Sequence, residues 1–142
     1  MPPDLRADFQ PTTSDSAEFW TACDAGVLTI RHCLACDNLF HYPRLCCPKC
    51  GAQDLDWTTA AGTGIVYSHT TVHVPFSGPE WSDQLPYTVV LVDLSEGPRM
   101  LSRMAPKQPR DVRSSDRVVV KFLRIGDRSL PLFRLDLHEQ HR

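Results

Sequence analysis

Cys33-Leu34-Ala35-Cys36, then residues 37–46, then Cys47-Pro48-Lys49-Cys50, place two close-spaced cysteine pairs ten residues apart. Two cysteines three apart on a tight turn aim both sulfurs at one point. Two such knuckles supply four thiolates, the set that suits tetrahedral zinc with no open position. Pro48 and Gly51 fit the turn and the close backbone approach of the second knuckle. The expected ligands are therefore Cys33, Cys36, Cys47 and Cys50, and a closed site of this kind is structural and activates no water. The same cysteines could instead be disulfides or ordinary buried apolar residues. Cys46 adjoins Cys47, but its spacing to Cys50 makes a poorer knuckle, so it reads as a spare thiol. Cys23 lies upstream in a helical pattern and reads as core. His32 and His41 stand close to the knuckles, yet four cysteines already fill the site.

Working outward, the alternation in Val27-Leu28-Thr29-Ile30-Arg31-His32 predicts a strand running into the first knuckle, with Leu55-Asp56-Trp57 pairing back against it. Upstream, Asp15-Ser16-Ala17-Glu18 resembles a capping box with Asp15 as the cap. Phe19, Ala22 and Cys23 follow at helical spacing, and Gly26 ends the run. The Phe19-Trp20 pair is large for so short a helix: it packs on the ribbon, or one ring faces a partner. Phe19, Trp20, Phe40 and Tyr42 are the expected partner-facing residues.

Downstream the composition turns to strands. Residues 62–74 alternate, with Ile65, Tyr67, His69, Thr71 and His73 on one face and Val66, Ser68, Thr70, Val72 and Val74 on the other. The glycines at its start, Gly62 and Gly64, suit a sharply curved first strand. A loop over 75–86 leads to strands over 87–94 and 99–104, hairpinned at Glu96-Gly97-Pro98. A connector precedes strands over 117–123 and 130–135, with Pro131 marking an edge. Five short strands, the first long and bent, describe an OB-fold barrel. The fold class is therefore mainly β: an N-terminal helix and a rubredoxin-like zinc ribbon (14–60) followed by a five-stranded OB-fold barrel (61–136), with a flexible arm over 1–13 and a tail over 137–142.

The chain has 142 residues, a net charge of −2, twelve prolines and six cysteines. That balance is not that of a basic nucleic-acid binder. The start, Met1 to Asp8, has no apolar segment of the secretory type, and no run approaches the ~20 apolar residues of a membrane helix. The expectation is a cytoplasmic protein that uses cysteine for metal.

Phe19-Trp20, the Gly26-to-Ile30 strand, Arg31 with Cys33 and Cys36, Tyr42-Pro43-Arg44, Cys47-Pro48 with Cys50, Trp57, Gly62 and Gly64 with Val66-Tyr67-Ser68, and Pro86-Tyr87 occur in that order. Together they resemble the zinc-ribbon plus OB-fold family that accompanies thiolase-like enzymes, long catalogued as a domain of unknown function and called an acyl-CoA-associated OB-fold. The resemblance covers about residues 15–135. It implies a non-catalytic accessory subunit of a thiolase, retro-aldolase or acyltransferase complex, with structural Zn2+, an acyl-CoA site shared with the partner, and a heterotetramer built on a catalytic dimer. The chain departs from the family pattern twice. Asp37 stands where a glycine commonly follows the first knuckle, and Ser114-Ser115-Asp116 replaces a glycine-containing turn.

No catalytic set stands out. His69 and His73 share a face with Tyr67 by alternation, and Cys46 would need an activating base to be a nucleophile. Arg99, Arg103, Lys107, Arg110, Arg113 and Arg117 crowd residues 99–117 against only Asp111 and Asp116. Arg99 and Arg103 are the candidates for coenzyme A phosphates; a solvated basic face is the plainer account. The alternative function is a single-stranded nucleic-acid module, using aromatics such as Tyr67, Tyr87, Phe122 and Phe133 as stacking platforms.

Overall fold

The computed structural model describes residues 13–75, 83–125 and 128–137. The arm up to residue 12, the loop segment 76–82 with Trp81, the Gly126-Asp127 turn and the tail from 138 lie outside the described residues.

Helix α1 (Ala17–Asp24) is the first element. Its cap differs from the sequence expectation: Ser16, not Asp15, is the N-cap, and no side-chain cap bond forms. The Asp15 carboxylate accepts from the Thr13 hydroxyl instead, so the capping box does not close. At the other end the N–H groups of Gly26 and Val27 donate to the carbonyls of Cys23 and Ala22, a Schellman ending. Phe19 and Cys23, one turn apart, are the buried residues of α1. The helix leans on the barrel as well as on the ribbon. Asp24 Oδ1 accepts from the Ser129 backbone N–H at 2.9 Å.

Strand β1 (Thr29–Cys33) is the centre of a three-stranded sheet between β2 (Leu39–Phe40) and β3 (Leu55–Thr59). The register places Arg31 opposite Trp57, and the guanidinium lies 4.4 Å from the indole centroid. The return strand therefore pairs where the alternation predicts.

The second sheet holds β4 (Thr63–Val72), β5 (Tyr87–Leu94), β6 (Arg99–Arg103), β7 (Arg117–Ile125) and β8 (Arg128–Leu135), in the order β6-β5-β4-β7-β8. Met104 bridges in parallel to Phe133, and Ala105 N–H donates to the Phe133 carbonyl at 2.7 Å. The two edges of the sheet thus meet, giving the nearly closed five-stranded barrel of an OB-fold. Pro131 sits in β8, an edge strand of the hydrogen-bonded order, where its missing N–H costs no central ladder bond.

Phe133, Val66, Val90, Val92 and Val118 are fully buried inside the barrel, and Phe19, Cys23, Leu28 and Ile30 join the same core. Ribbon, helix and barrel are thus packed through one apolar interior. Gly64 marks the tightest approach: a Cβ there would lie 2.6 Å from the Asp93 carbonyl oxygen and from Val92 Cγ1. Only glycine lets β4 coil this closely against β5. Strict alternation along β4 fails at a bulge. Val66 pairs with Val92 and Ser68 with Leu91, leaving Tyr67 unpaired. Past the bulge His69 sits opposite Val90, on the face of Val66 rather than that of Ile65. His73 lies beyond the end of β4.

Candidate functional site

The two knuckles are built alike. In the first, Asp37 N–H donates to the Cys33 carbonyl at 2.8 Å and Cys33 N–H to the Asn38 carbonyl at 2.9 Å. In the second, Gly51 N–H donates to the Cys47 carbonyl at 2.9 Å and Cys47 N–H to the Ala52 carbonyl at 2.8 Å. Each turn needs a left-handed residue at the same place: Asp37 has φ 62° and Gly51 φ 78°. Asp tolerates that region better than most side chains, and its carboxylate contacts His32 Nε2 at 3.0 Å. The glycine missing from the connector follows the same rule, since Ser115 has φ 74°.

The four thiol sulfurs of Cys33, Cys36, Cys47 and Cys50 lie within 4.8 Å of one another. Sulfurs of Cys33 and Cys50 are 3.6 Å apart, and those of Cys36 and Cys47 are 3.7 Å apart. These cysteines are not in disulfides. A zinc–sulfur bond of about 2.3 Å in a regular tetrahedron requires sulfur–sulfur edges of about 3.8 Å, close to the two shortest edges here, so the tetrad has the size of a Zn2+ site. The Lys49 backbone N–H and the Asn38 amide point at Cys47 Sγ, at 3.4 and 3.6 Å. Burial opposes ionisation of Cys47, but the N–H groups of Cys50 and Lys49 and the Asn38 amide stabilise its thiolate and bring it down to about 6. For Cys36 the Asn38 backbone N–H also favours the thiolate, but burial and the neighbouring thiols Cys50, Cys33 and Cys47 outweigh it and push Cys36 up to about 12. A divalent cation is what lets all four stand as thiolates together. Cys46 is exposed outside the tetrad, and Cys23 is fully buried under α1.

The remaining candidates are placed apart from the metal centre. His32 contacts Asp37. His41 is 7% exposed, its ring centroid 5.5 Å from Phe19 and 4.6 Å from Tyr42. Burial pushes its imidazole down to about 4. Of the four aromatic residues expected at a partner face, Phe19 and Phe40 turn inward, to the main core and the ribbon core respectively. Trp20 is half-buried, and Tyr42 is 50% exposed with its hydroxyl accepting from the Leu101 N–H of edge strand β6 at 3.1 Å. His69 and His73 are exposed.

Arg99 and Arg103 share β6 but not an environment. Arg99 makes a paired contact to the Asp93 carboxylate, 2.7 and 3.2 Å, and covers the Tyr67 ring at 3.5 Å. Arg103 donates to Gln84 Oε1 at 3.2 Å and lies 5.4 Å from the Tyr87 centroid. Arg110 grips Asp116 with two bonds of 2.9 Å, and that hydrogen bond leads the causes holding the Asp116 carboxyl below its usual range. The basic run is therefore interrupted by its own carboxylates. Neither the bulge that moves His69 nor Gln84 beside Arg103 had a signal in the sequence, because both arise from pairing across strands.

A four-cysteine ribbon set ahead of an OB barrel defines the class: a zinc-ribbon/OB-fold protein. Residues 20–56 match the family described as ChsH2, rubredoxin-like zinc ribbon domain, and residues 57–123 match ChsH2, C-terminal OB-fold domain. The chain belongs to this ChsH2 (DUF35) family. It is 38% identical over 121 residues to a Thermomonospora curvata protein named "Probable enoyl-CoA hydratase alpha subunit", covering 84% of this chain and 37% of that one. It is 31% identical over 101 residues to a "DUF35 domain-containing scaffold protein" of Methanothermobacter thermautotrophicus, covering 70% and 74%. Among solved structures, a chain of an "Ltp2-ChsH2(DUF35) aldolase" superposes with TM-score 0.77 at 37% identity, over 89% of this chain and 98% of that one. The chain thus spans about a third of the T. curvata relative's length and nearly all of the solved chain.

Proposed function

We propose that the chain is a non-catalytic accessory subunit of an acyl-CoA enzyme complex whose catalytic partner is a thiolase-superfamily protein. The observation that carries this reading is the 37% identical superposition on nearly the whole of a chain from an Ltp2–ChsH2(DUF35) aldolase. Zn2+ on Cys33, Cys36, Cys47 and Cys50 holds the ribbon in shape and takes no part in turnover, because four thiolates leave no open position. Trp20 and Tyr42 are the partner-facing aromatics, Arg99 and Arg103 face the shared acyl-CoA, and the complex is a heterotetramer on a catalytic dimer. Among the described residues no helix is long and apolar enough to cross a membrane, and the proposed setting is the cytoplasm.

The test is reconstitution. The zinc-loaded chain is mixed with a thiolase-superfamily protein from the same cells, and the mass of the complex and its acyl-CoA turnover are measured. A two-plus-two mass, with turnover that needs both proteins, supports the reading. Turnover by the partner alone, with no complex, contradicts it. The nucleic-acid alternative is weakened by the pairing of Arg99 with Asp93 and of Arg110 with Asp116, which breaks up the cationic track such binding needs.

A further inference from the structure

A groove of about 530 Å³ runs between α1, the His41-Tyr42-Pro43 segment and the seam where β6 meets β8. Phe19, Trp20, Met100, Leu101, Leu130 and Leu132 line it. His41 also lines it, and burial keeps that ring neutral near pH 7. Arg103 is the one charged side chain among the lining residues. It also borders a separate polar cavity of about 540 Å³, whose charged lining includes Asp83, Lys107, Arg110 and Asp111, none of them ion-paired to Arg103. Arg103 therefore borders both an apolar groove and a polar cavity.

Among the described residues Arg103 is in no ion pair. The half-buried guanidinium donates to the neutral Gln84 amide and faces the neutral Tyr87 ring. Among the described residues no carboxylate pairs with it, whereas Arg99 has Asp93 and Arg110 has Asp116. A guanidinium offers five N–H donors in a planar fork that matches a carboxylate edge to edge. A partly desolvated cation without a counter-charge is costly, and a bound anion offsets that cost.

We propose that this groove binds an anionic amphiphile. Its apolar chain or ring system lies along Phe19, Trp20, Leu130 and Leu132, and a terminal carboxylate takes the donors of Arg103 not used by Gln84. The groove shares Trp20, Tyr42 and Arg103 with the proposed partner and acyl-CoA faces; because this chain alone forms it, a titration without the partner tests the groove apart from the accessory role.

The zinc-loaded full chain is titrated with decanoate and with decanol by calorimetry, and amide NMR locates each ligand. Decanoate binds one to one, about tenfold or more tighter than decanol, because only the carboxylate makes a charge-assisted bond. Shifts centre on Leu101, Ser102, Leu130 and Leu132. Arg103→Gln brings decanoate down to the affinity of decanol, and Leu130→Trp, which fills the trough, weakens both. Equal affinities for the two ligands in the unsubstituted chain, no binding of either, or shifts confined to another surface overturn the proposal. Should Arg103→Gln fail to fold, the carboxylate–alcohol comparison and Leu130→Trp decide alone.

Discussion

Asp37 and Ser115 both hold backbone that glycine holds most cheaply, and they differ in what they gain there. Asp37 belongs to the side chains that visit the left-handed region at low cost, and it contacts His32. Ser115 instead holds its place through the backbone, its N–H donating to the Val66 carbonyl at 2.8 Å. Ser115→Gly therefore stabilises the fold by about 1 kcal/mol, whereas Asp37→Gly is close to neutral and Asp37→Val costs about 1–2 kcal/mol. Urea denaturation of the three variants checks the order. His41 gives a second residue-scale expectation. Its unfolded value is near 6.5, and burial lowers the folded value to about 4. The unfolded chain thus takes up a proton that the fold refuses. The stability is fully present above about pH 6.5 and is lost as pH falls toward 4, by up to about 3 kcal/mol. His41→Phe removes that part of the pH dependence; an unchanged slope between pH 7 and 4.5 contradicts it.

At the scale of elements, the metal ribbon depends on all four cysteines together. Cys50 is exposed while Cys33 and Cys47 are buried, so Cys50→Ser tests ligation with little disturbance of packing. It abolishes stoichiometric zinc by atomic absorption and removes amide protection from β1 and β3. A variant that keeps zinc or that protection counts against the site. The ribbon was legible from spacing alone because ligand geometry is local, and the barrel strands were legible from alternation. The helix cap was not, because Thr13 competes for Asp15. The fate of His69 was not, because a bulge at Tyr67 breaks the period of two that the reading relied on. Phe19 and Phe40 read as surface candidates because a short helix and a small ribbon offer little core. The structure instead buries Phe19 in an interior shared with the barrel and Phe40 with Cys33 and Cys47.

At the scale of the whole molecule, that shared interior makes ribbon and barrel one cooperative body. Leu28 and Ile30 sit in the same core as Val66, Val92 and Phe133. Stripping zinc with a chelator therefore lowers the thermal midpoint of the barrel along with that of the ribbon, in a single transition by calorimetry. Two separate transitions, with the barrel's unmoved, contradict this. Arg103 was named from the sequence, but the groove beside it was not legible there, since it appears only where α1, Tyr42 and the β6–β8 seam converge. The accessory role is the central functional proposal. Its most direct measurement is a pull-down of the tagged chain from extract of its own cells, washed at high salt, with mass spectrometry of what stays bound. A thiolase-superfamily protein is expected to be retained at comparable amount, since tight interfaces survive salt that releases nucleic acid. Recovery of nucleic acid that elutes with salt, or of no protein partner, contradicts it.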